Sequence, residues 1–121
     1  MTYMEGYVLP LPKGNIDAYK DVATIAKAIW LDHGALSYVE AIADDVPKGE
    51  TTDFYRAVKC EENETIVFAF ATFKSREARD AAHKNIMADP RMEALGPQAV
   101  PFDGKRMIFG GFEVFMESWP A

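Results

Sequence analysis

The chain lacks the features that mark a disulfide-bonded, membrane-spanning or metal-binding protein. Its 121 residues include one cysteine, Cys60, so no disulfide can form within the chain. No run approaches the ~20 apolar residues of a membrane helix, and no basic region followed by an apolar run opens the chain. H-x-H, C-x-x-C, P-loop and dinucleotide-binding motifs do not occur. We therefore expect one cytoplasmic domain over residues 1–121, with no metal, no cofactor and no membrane partner.

Positive charge is also scarce. The 13 basic residues are outnumbered by 19 acidic ones, which gives a net charge of −6. Nucleic-acid binding draws most of its affinity from Lys and Arg side chains that neutralise phosphates. The densest basic segment, Lys74–Arg79, also carries Glu77 and is typical of a solvated helix face. The sequence therefore predicts no nucleic-acid partner.

Two segments of the chain are apolar on both faces at the period of a β-strand, Thr65–Phe73 and Met107–Met116. A strand that is covered on one side only alternates apolar with polar residues. The chain offers two helices long enough to lie on a sheet, and two helices cover one face. We expect a second copy of the chain to cover the other face, so the sequence predicts a homodimer.

The order of elements predicts the fold. Strands are expected over Thr2–Leu11, Ala35–Ala43, Thr65–Phe73 and Lys105–Ser118, with helices over residues 14–33 and 75–88 and a short extra strand at Phe54–Cys60. This β-α-β-β-α-β order predicts an α+β, ferredoxin-like sandwich: an antiparallel four-stranded sheet of order 4-1-3-2 with both helices on one face.

Strand parity sorts the side chains into two sets. Small and aliphatic side chains are expected to face the helices: Met4, Gly6, Val8, Val39, Ala41, Ile108, Phe112 and Val114. Aromatic side chains with a few carboxylates are expected on the opposite face: Tyr3, Glu5, Tyr7, Tyr38, Glu40, Phe109, Glu113 and Phe115. Because aromatic residues are enriched in protein interfaces, the second set predicts a dimer contact through Tyr7, Tyr38, Phe109 and Phe115.

Three stretches resemble a known family: GYVLPLPK at Gly6–Lys13, HGALSYVEAIADDVP at His33–Pro47 and PFDGKRMIFGGFEV at Pro101–Val114. They are similar to the YbaA-like family of small bacterial proteins, a domain of unknown function. The resemblance implies the dimeric α/β-barrel superfamily, in which two ferredoxin-like sheets pack face to face. That superfamily also holds cofactor-free monooxygenases, haem-degrading enzymes, muconolactone isomerases and stress-response proteins. The resemblance supplies no catalytic residues.

His33 and Glu40 are the candidates for acid–base chemistry. His33 is placed at the carboxyl end of the first helix, where the helix dipole favours a protonated imidazole. Glu40, on the next strand, could pair with it, as could Asp44. The alternative is structural: His33 satisfies the last helix carbonyls, and Glu40 pairs across the dimer interface.

Three residues are candidates for binding a ligand. Asp103 opens a tight turn and Arg106 follows it, so the guanidinium could grip an anion or form a structural ion pair with Asp103 or Glu40. Arg56, flanked by aromatic residues, could clamp a planar anion or stack at the edge of a dimer.

Two classes of function remain open from the sequence. One is a small protein that binds or transforms a small anionic or aromatic metabolite without a cofactor, in a cleft between helices and sheet. The other is a non-catalytic dimeric binding or stress-response protein. A cleft lined by apolar groups with a few converging polar ones would favour the first.

Overall fold

A computed structural model describes residues 2–118 of the chain. Its strands are β1 (Tyr3–Pro12), β2 (Ser37–Ile42), β3 (Glu64–Phe73) and β4 (Ile108–Glu113). Its α-helices are α1 (Ile16–Asp32), α2 (Phe54–Ala57), α3 (Arg76–Met87) and α4 (Pro90–Leu95), and short 3₁₀ turns cover Lys13–Asn15, Gly96–Ala99 and Gly104–Arg106. Within this described part, no helix is both long enough and apolar enough to cross a membrane.

The strands form one antiparallel sheet of order β2-β3-β1-β4, which is the predicted order counted from the other edge. The centre of the sheet is the pairing of β1 with β3, which runs for ten residues from Tyr3 opposite Phe73 to Pro12 opposite Glu64. Helices α1 and α3 pack on one face, where Ile29 and Ile86 meet Phe73 in the main core. The predicted ferredoxin-like fold is confirmed.

Local signals in the sequence place most element boundaries within a few residues. Ser75 caps α3 as expected, because its hydroxyl accepts the backbone N–H of Ala78. The predicted strand at Phe54–Cys60 is wrong: this segment contains the short helix α2, which is capped by the carboxylate of Asp53. The last strand is shorter than predicted, since β4 ends at Glu113.

The face assigned to the helices is the main correction. Tyr38 packs against the main core, and Tyr7, Tyr38 and Glu40 line a cavity together with residues of α1, so these members of the aromatic set lie under the helices. The predicted contact residues Tyr7 and Tyr38 therefore face the helices and not a dimer partner. Phe109 lies opposite Tyr7 in the ladder, but on edge strand β4 it stays 66% exposed, and Phe115 beyond the strand is 86% exposed.

The aliphatic set lies on the other side of the sheet, which we call the open face. Its open part consists of the twelve positions that lie beside β2 or β4, none of them charged: Met4, Gly6, Val8, Ser37, Val39, Ala41, Phe68, Phe70, Thr72, Ile108, Gly110 and Phe112. The same parity continues along β1 and β3 to Pro10, Pro12, Ile66 and Glu64, where Ile66 and Glu64 are buried and Glu64 pairs with Arg106. Phe68 is 45% exposed and Phe112 58%. The loop that carries α2 reaches only one end of this face, where the Phe54 ring meets Phe68 edge-on at 5.9 Å between centroids.

A buried ion pair fastens α3 to the sheet. The Glu5 side chain is almost fully buried, and the guanidinium of Arg79, itself 14% exposed, binds its carboxylate. Arg79 also lies over the ring of Tyr3, 4.9 Å from the centroid. Glycine at position 111 leaves room for this arrangement, since a Cβ there would collide with the Tyr3 side chain and the Arg79 guanidinium and would force them to move. A glycine in a strand often marks a close approach of another group to the backbone, and here those groups are the two side chains.

Arg79→Met should lower the free energy of unfolding by about 3–5 kcal/mol, because it leaves the Glu5 carboxylate buried without its partner. Arg76→Met, on the same helix, is the matched control. Its side chain is 70% exposed and pairs with Asp80 only at 4.0 Å, so its removal should cost under about 1 kcal/mol. Urea unfolding of both variants at neutral pH checks this, and equal losses would contradict it.

Candidate functional site

A cavity of about 180 Å³ lies between α1 and the helix-covered face of the sheet. Strands β1 to β3 form its floor, α1 its roof, and α4 with the turn that follows closes one end. Its walls are largely apolar, with Val22, Ala26, Met92, Leu95, Phe102 and Met107 among them. Polar atoms come from three tyrosines, one tryptophan and one glutamate, so the cavity has the composition of a ligand pocket.

Glu40 is the centre of the polar part of the cavity. It projects from β2 toward α1, where the hydroxyl of Tyr19 donates to its Oε1. The hydroxyl of Tyr38 donates to its Oε2 at 2.6 Å. Each carboxylate oxygen therefore accepts one fixed hydrogen bond and keeps a lone pair for another donor. The two tyrosines hold the carboxylate in one orientation.

The three cavity tyrosines remain protonated at neutral pH. Burial raises the pKa of Tyr19 and Tyr38 far above the ordinary value, and the adjacent carboxylate of Glu40 raises both further. Burial is also the main cause of the raised pKa of Tyr7, with the charge of Glu5 adding to it. Their hydroxyls consequently act as hydrogen-bond donors and not as bases.

The indole of Trp30 is a second polar group of the cavity. The ring of Trp30 meets that of Tyr38 edge-on, with 5.8 Å between centroids. Its indole N–H is buried, lines the cavity and has no partner with hydrogen-bond geometry within residues 2–118. The N–H interacts with the hydroxyl of the neighbouring Tyr7, and this interaction lowers the pKa of Tyr7 against the larger effect of burial. Because the contact falls short of full hydrogen-bond geometry, an acceptor placed in the cavity could compete for the N–H.

Electrostatics distinguish this cavity from an anion site. Glu40 is the one charged side chain among the described residues that line it, and none of them is cationic. A bound anion would meet a carboxylate in a site of low dielectric constant, where like charges repel strongly. The cavity suits a neutral molecule that can donate a hydrogen bond or a proton to Glu40.

The comparisons with known proteins agree with this fold and with the family resemblance of the sequence. A family model described as "Protein of unknown function (DUF1428)" matches residues 2–104. The chain belongs to this family. "Uncharacterized protein YbaA" of Escherichia coli K12 is 48% identical over 117 residues, which cover 97% of this chain and 99% of that protein. The YbaA protein of Shigella flexneri matches to the same extent.

Solved structures with the same fold are more distant in sequence from this DUF1428 chain. A dimeric ferredoxin-like protein of unknown function from Jannaschia sp. CCS1 has a TM-score of 0.59 at 16% identity, covering 93% of this chain and 99% of that one. A nipsnap family protein of unknown function from Agrobacterium tumefaciens has a TM-score of 0.55 at 19% identity, with 92% and 84% covered. At such identity the likeness shows the fold alone.

In this DUF1428 chain, the two acid–base candidates lie in different parts of the structure. Glu40 lies in the cavity, whereas the imidazole of His33, at the end of α1, contacts Asp89 at 2.7 Å. Asp89 also binds the guanidinium of Arg91, which reaches on to Asp32 at 2.9 Å. His33 thus belongs to an ion cluster that joins α1 to α4, and the predicted pairing with Glu40 or Asp44 is wrong.

The predicted anion-binding residues are occupied by the protein itself. Arg106 lies in the turn before β4, where both oxygens of Glu64 accept its guanidinium hydrogens at 2.7 Å and Asp103 accepts its Nε at 2.9 Å. The same guanidinium donates to the backbone carbonyl of Lys59. The hydrogen bonds from Arg106 hold the pKa values of Glu64 and Asp103 below their usual range. These residues tie the β4 turn to the start of β3.

Arg56 serves a loop in the same way. Its guanidinium donates to the backbone carbonyls of Gly49 and Glu50 at 2.7 and 3.1 Å, and its Nε lies 3.6 Å from Asp53. It does not reach the Glu40 cavity. Among the five ligand and acid–base candidates, only Glu40 lines that cavity.

Sequence reasoning did not place Tyr7, Tyr19, Trp30 and Tyr38 in a cavity: it predicted Tyr7 and Tyr38 as dimer contacts and did not single out Tyr19 and Trp30 as site residues. A usable signal exists for two of them: Tyr19 and Trp30 fall on the buried stripe of α1. A buried phenol or indole needs a polar partner at its tip, so such residues on a core stripe predict either a buried acceptor or a ligand. Glu40, one strand away, is that acceptor for Tyr19.

The ion cluster at Asp89 should make stability pH-dependent. Hydrogen bonds from Arg91, and next from His33, hold the pKa of Asp89 well below its usual range, so its contribution is fully present above about pH 4 and is lost as the pH falls further. Asp89→Asn should therefore lower the melting temperature by several degrees at pH 6, and the gap should narrow below pH 4. Thermal melts from pH 3 to pH 7 measure this, with Asp44→Asn on an exposed loop as the control.

Proposed function

We propose that this protein is a homodimer in which each protomer binds one compact, neutral organic molecule in the Glu40 cavity, without a cofactor. The observation that carries the proposal is the carboxylate of Glu40, oriented by two tyrosine hydroxyls inside an otherwise apolar cavity. Placing a carboxylate there costs desolvation free energy that an apolar side chain would not. Retaining polar groups in a core despite such a cost is typical of functional sites.

The size of the cavity limits the ligand. An engineered protein cavity of about 150 Å³ accommodates benzene, and the Glu40 cavity has about 180 Å³. A single six-membered ring with one or two polar substituents fits this space. The absence of a cation among the described lining residues favours neutral molecules over the anions that the sequence suggested.

The open face supports the homodimer. The twelve positions of its open part carry no charge, and Val39, Phe68, Ile108 and Phe112 are each at least 39% exposed. A contiguous apolar surface of this kind marks an interaction site. A second copy offers the same uncharged, β-pleated surface by symmetry, so the two sheets can pack face to face. The contact proposed here uses the sheet face opposite the helices, as expected from the sequence, but with the aliphatic set of residues in place of the aromatic set.

Ligand binding can be tested with small aromatic probes. Phenol should raise the melting temperature by a few degrees at saturating concentration, because binding to the native state alone stabilises it. Benzoate, which has a similar ring but carries a charge, should not. Ala23→Leu places extra methyl groups in the cavity and should abolish the phenol effect.

The matched control is Ala28→Leu, which makes the same change on the exposed side of α1 and should keep the phenol effect. A rise in melting temperature that survives in Ala23→Leu would show that phenol binds elsewhere. No rise with phenol or any neutral ring of that size would contradict the proposed ligand site.

Dimerisation can be tested with a charged residue on the open face. Phe112→Asp should shift the protein to a monomer at micromolar concentration, because burying the new carboxylate against the partner sheet is costly. Met87→Asp is the control: Met87 is 78% exposed at the end of α3, on the helix side. Sedimentation velocity measures both, and a parent protein that sediments as a monomer would overturn the proposed dimer.

A further inference from the structure

We propose that the Glu40 cavity catalyses proton transfer at the carbon next to a carbonyl, with compact cyclic ketones that carry a nearby C=C bond as the substrate class. The inference rests on the proposed function, since it needs the cavity to bind a neutral ring. Three features carry it: an oriented carboxylate, a pair of hydrogen-bond donors beside it and the absence of other charged groups among the described lining residues.

The donors suit a carbonyl oxygen. The Trp30 indole N–H is buried with no partner of full hydrogen-bond geometry among the described residues, and the Tyr7 hydroxyl with which it interacts stays protonated because burial raises its pKa. An oxygen that accepts from both would be held as in an oxyanion hole, where donors stabilise the negative charge that develops during reaction. No described cation lines the cavity to compete for that oxygen.

The Glu40 carboxylate is the group that would accept the proton from the carbon next to the carbonyl. Tyr38 contacts both this carboxylate and the indole, since its ring packs on Trp30 and its hydroxyl donates to Glu40 at 2.6 Å. The Tyr38 side chain therefore lies between Trp30 and Glu40. In the proposed complex the carbonyl oxygen faces Trp30 and Tyr7, and the proton on the adjacent carbon faces Glu40. Tyr19 and Tyr38 are positioning residues that keep the carboxylate aimed.

The reaction balances without a cofactor. Glu40 takes the proton from the α-carbon, the electrons of the C–H bond become the C=C bond of an enolate, and the carbonyl π electrons move to oxygen. The Trp30 and Tyr7 donors stabilise that oxygen. When Glu40 returns the proton to the γ-carbon of a β,γ-unsaturated ketone, the enolate electrons form the new C–H bond and the carbonyl is restored. The product is the conjugated isomer, with no oxidant or reductant required.

The test follows 3-cyclohexen-1-one as it converts to 2-cyclohexen-1-one, by ultraviolet absorbance, and the exchange of its α-protons in D₂O by NMR. The parent dimer should accelerate both. Glu40→Gln should lower the rates of isomerisation and exchange at least about 100-fold. Trp30→Phe should lower both rates about 100-fold as well, and circular dichroism checks that this variant is folded, since the smaller ring gives up part of the packing on Tyr38. Glu77→Gln, on an exposed site of α3, should keep the parent rate.

The outcomes separate this inference from the proposed function. If phenol binds but the ketone neither isomerises nor exchanges faster, the proton-transfer inference is wrong and the binding proposal stands. The same conclusion follows if phenol binds and the ketone does not, or if Trp30→Phe or Glu40→Gln retains the parent rate. If neither phenol nor the ketone binds, both proposals fail. Because Trp30→Phe replaces one aromatic ring by another and leaves the Glu40 carboxylate in place, it keeps the test valid even if Glu40→Gln does not fold.

Discussion

The two-residue alternation of the sheet, fixed by the ten-residue pairing of β1 with β3, is the constraint on which the remaining architecture depends. It directs Phe68 to the open face and its neighbour Ala69 to the helix-covered face. Successive residues of the other strands alternate between the two faces in the same way. The two faces have different chemistry. One carries Glu5, Glu40 and the tyrosine hydroxyls under three helices, whereas the twelve positions in the open part of the other carry no charge.

The sequence grouped these side chains correctly but assigned the groups to the wrong faces. Tyr7, Tyr38 and Glu40 do share one face, and Val8 and Phe112 share the other, because parity along a strand follows from the pattern alone. The assignment failed because it assumed that small aliphatic residues fill the space under the helices. A core that contains a cavity violates that assumption, since its tyrosines need both burial and a polar partner.

The charged residues show a second limit of sequence reasoning. The pair Asp103–Arg106, three residues apart in the chain, was predicted because a turn brings such neighbours together. The partners that decide the roles of the other candidates are distant: 42 residues separate Glu64 from Arg106, and 56 separate His33 from Asp89. Their pairing depends on tertiary structure, so an arginine or histidine that the sequence marks as available can be fully engaged in the fold.

Gly111 imposes an order on the changes that this chain can accept. A side chain at that position collides with Tyr3 and Arg79 and forces them to move, so it costs least after one of those two has become smaller. Arg79 in turn can be lost cheaply only after Glu5 has become neutral, because the carboxylate is buried against it. Substitutions at the four positions are therefore strongly non-additive. Mutational paths that begin at Glu5 or Tyr3 thus cost less stability at this corner of the sheet than paths that begin at the glycine.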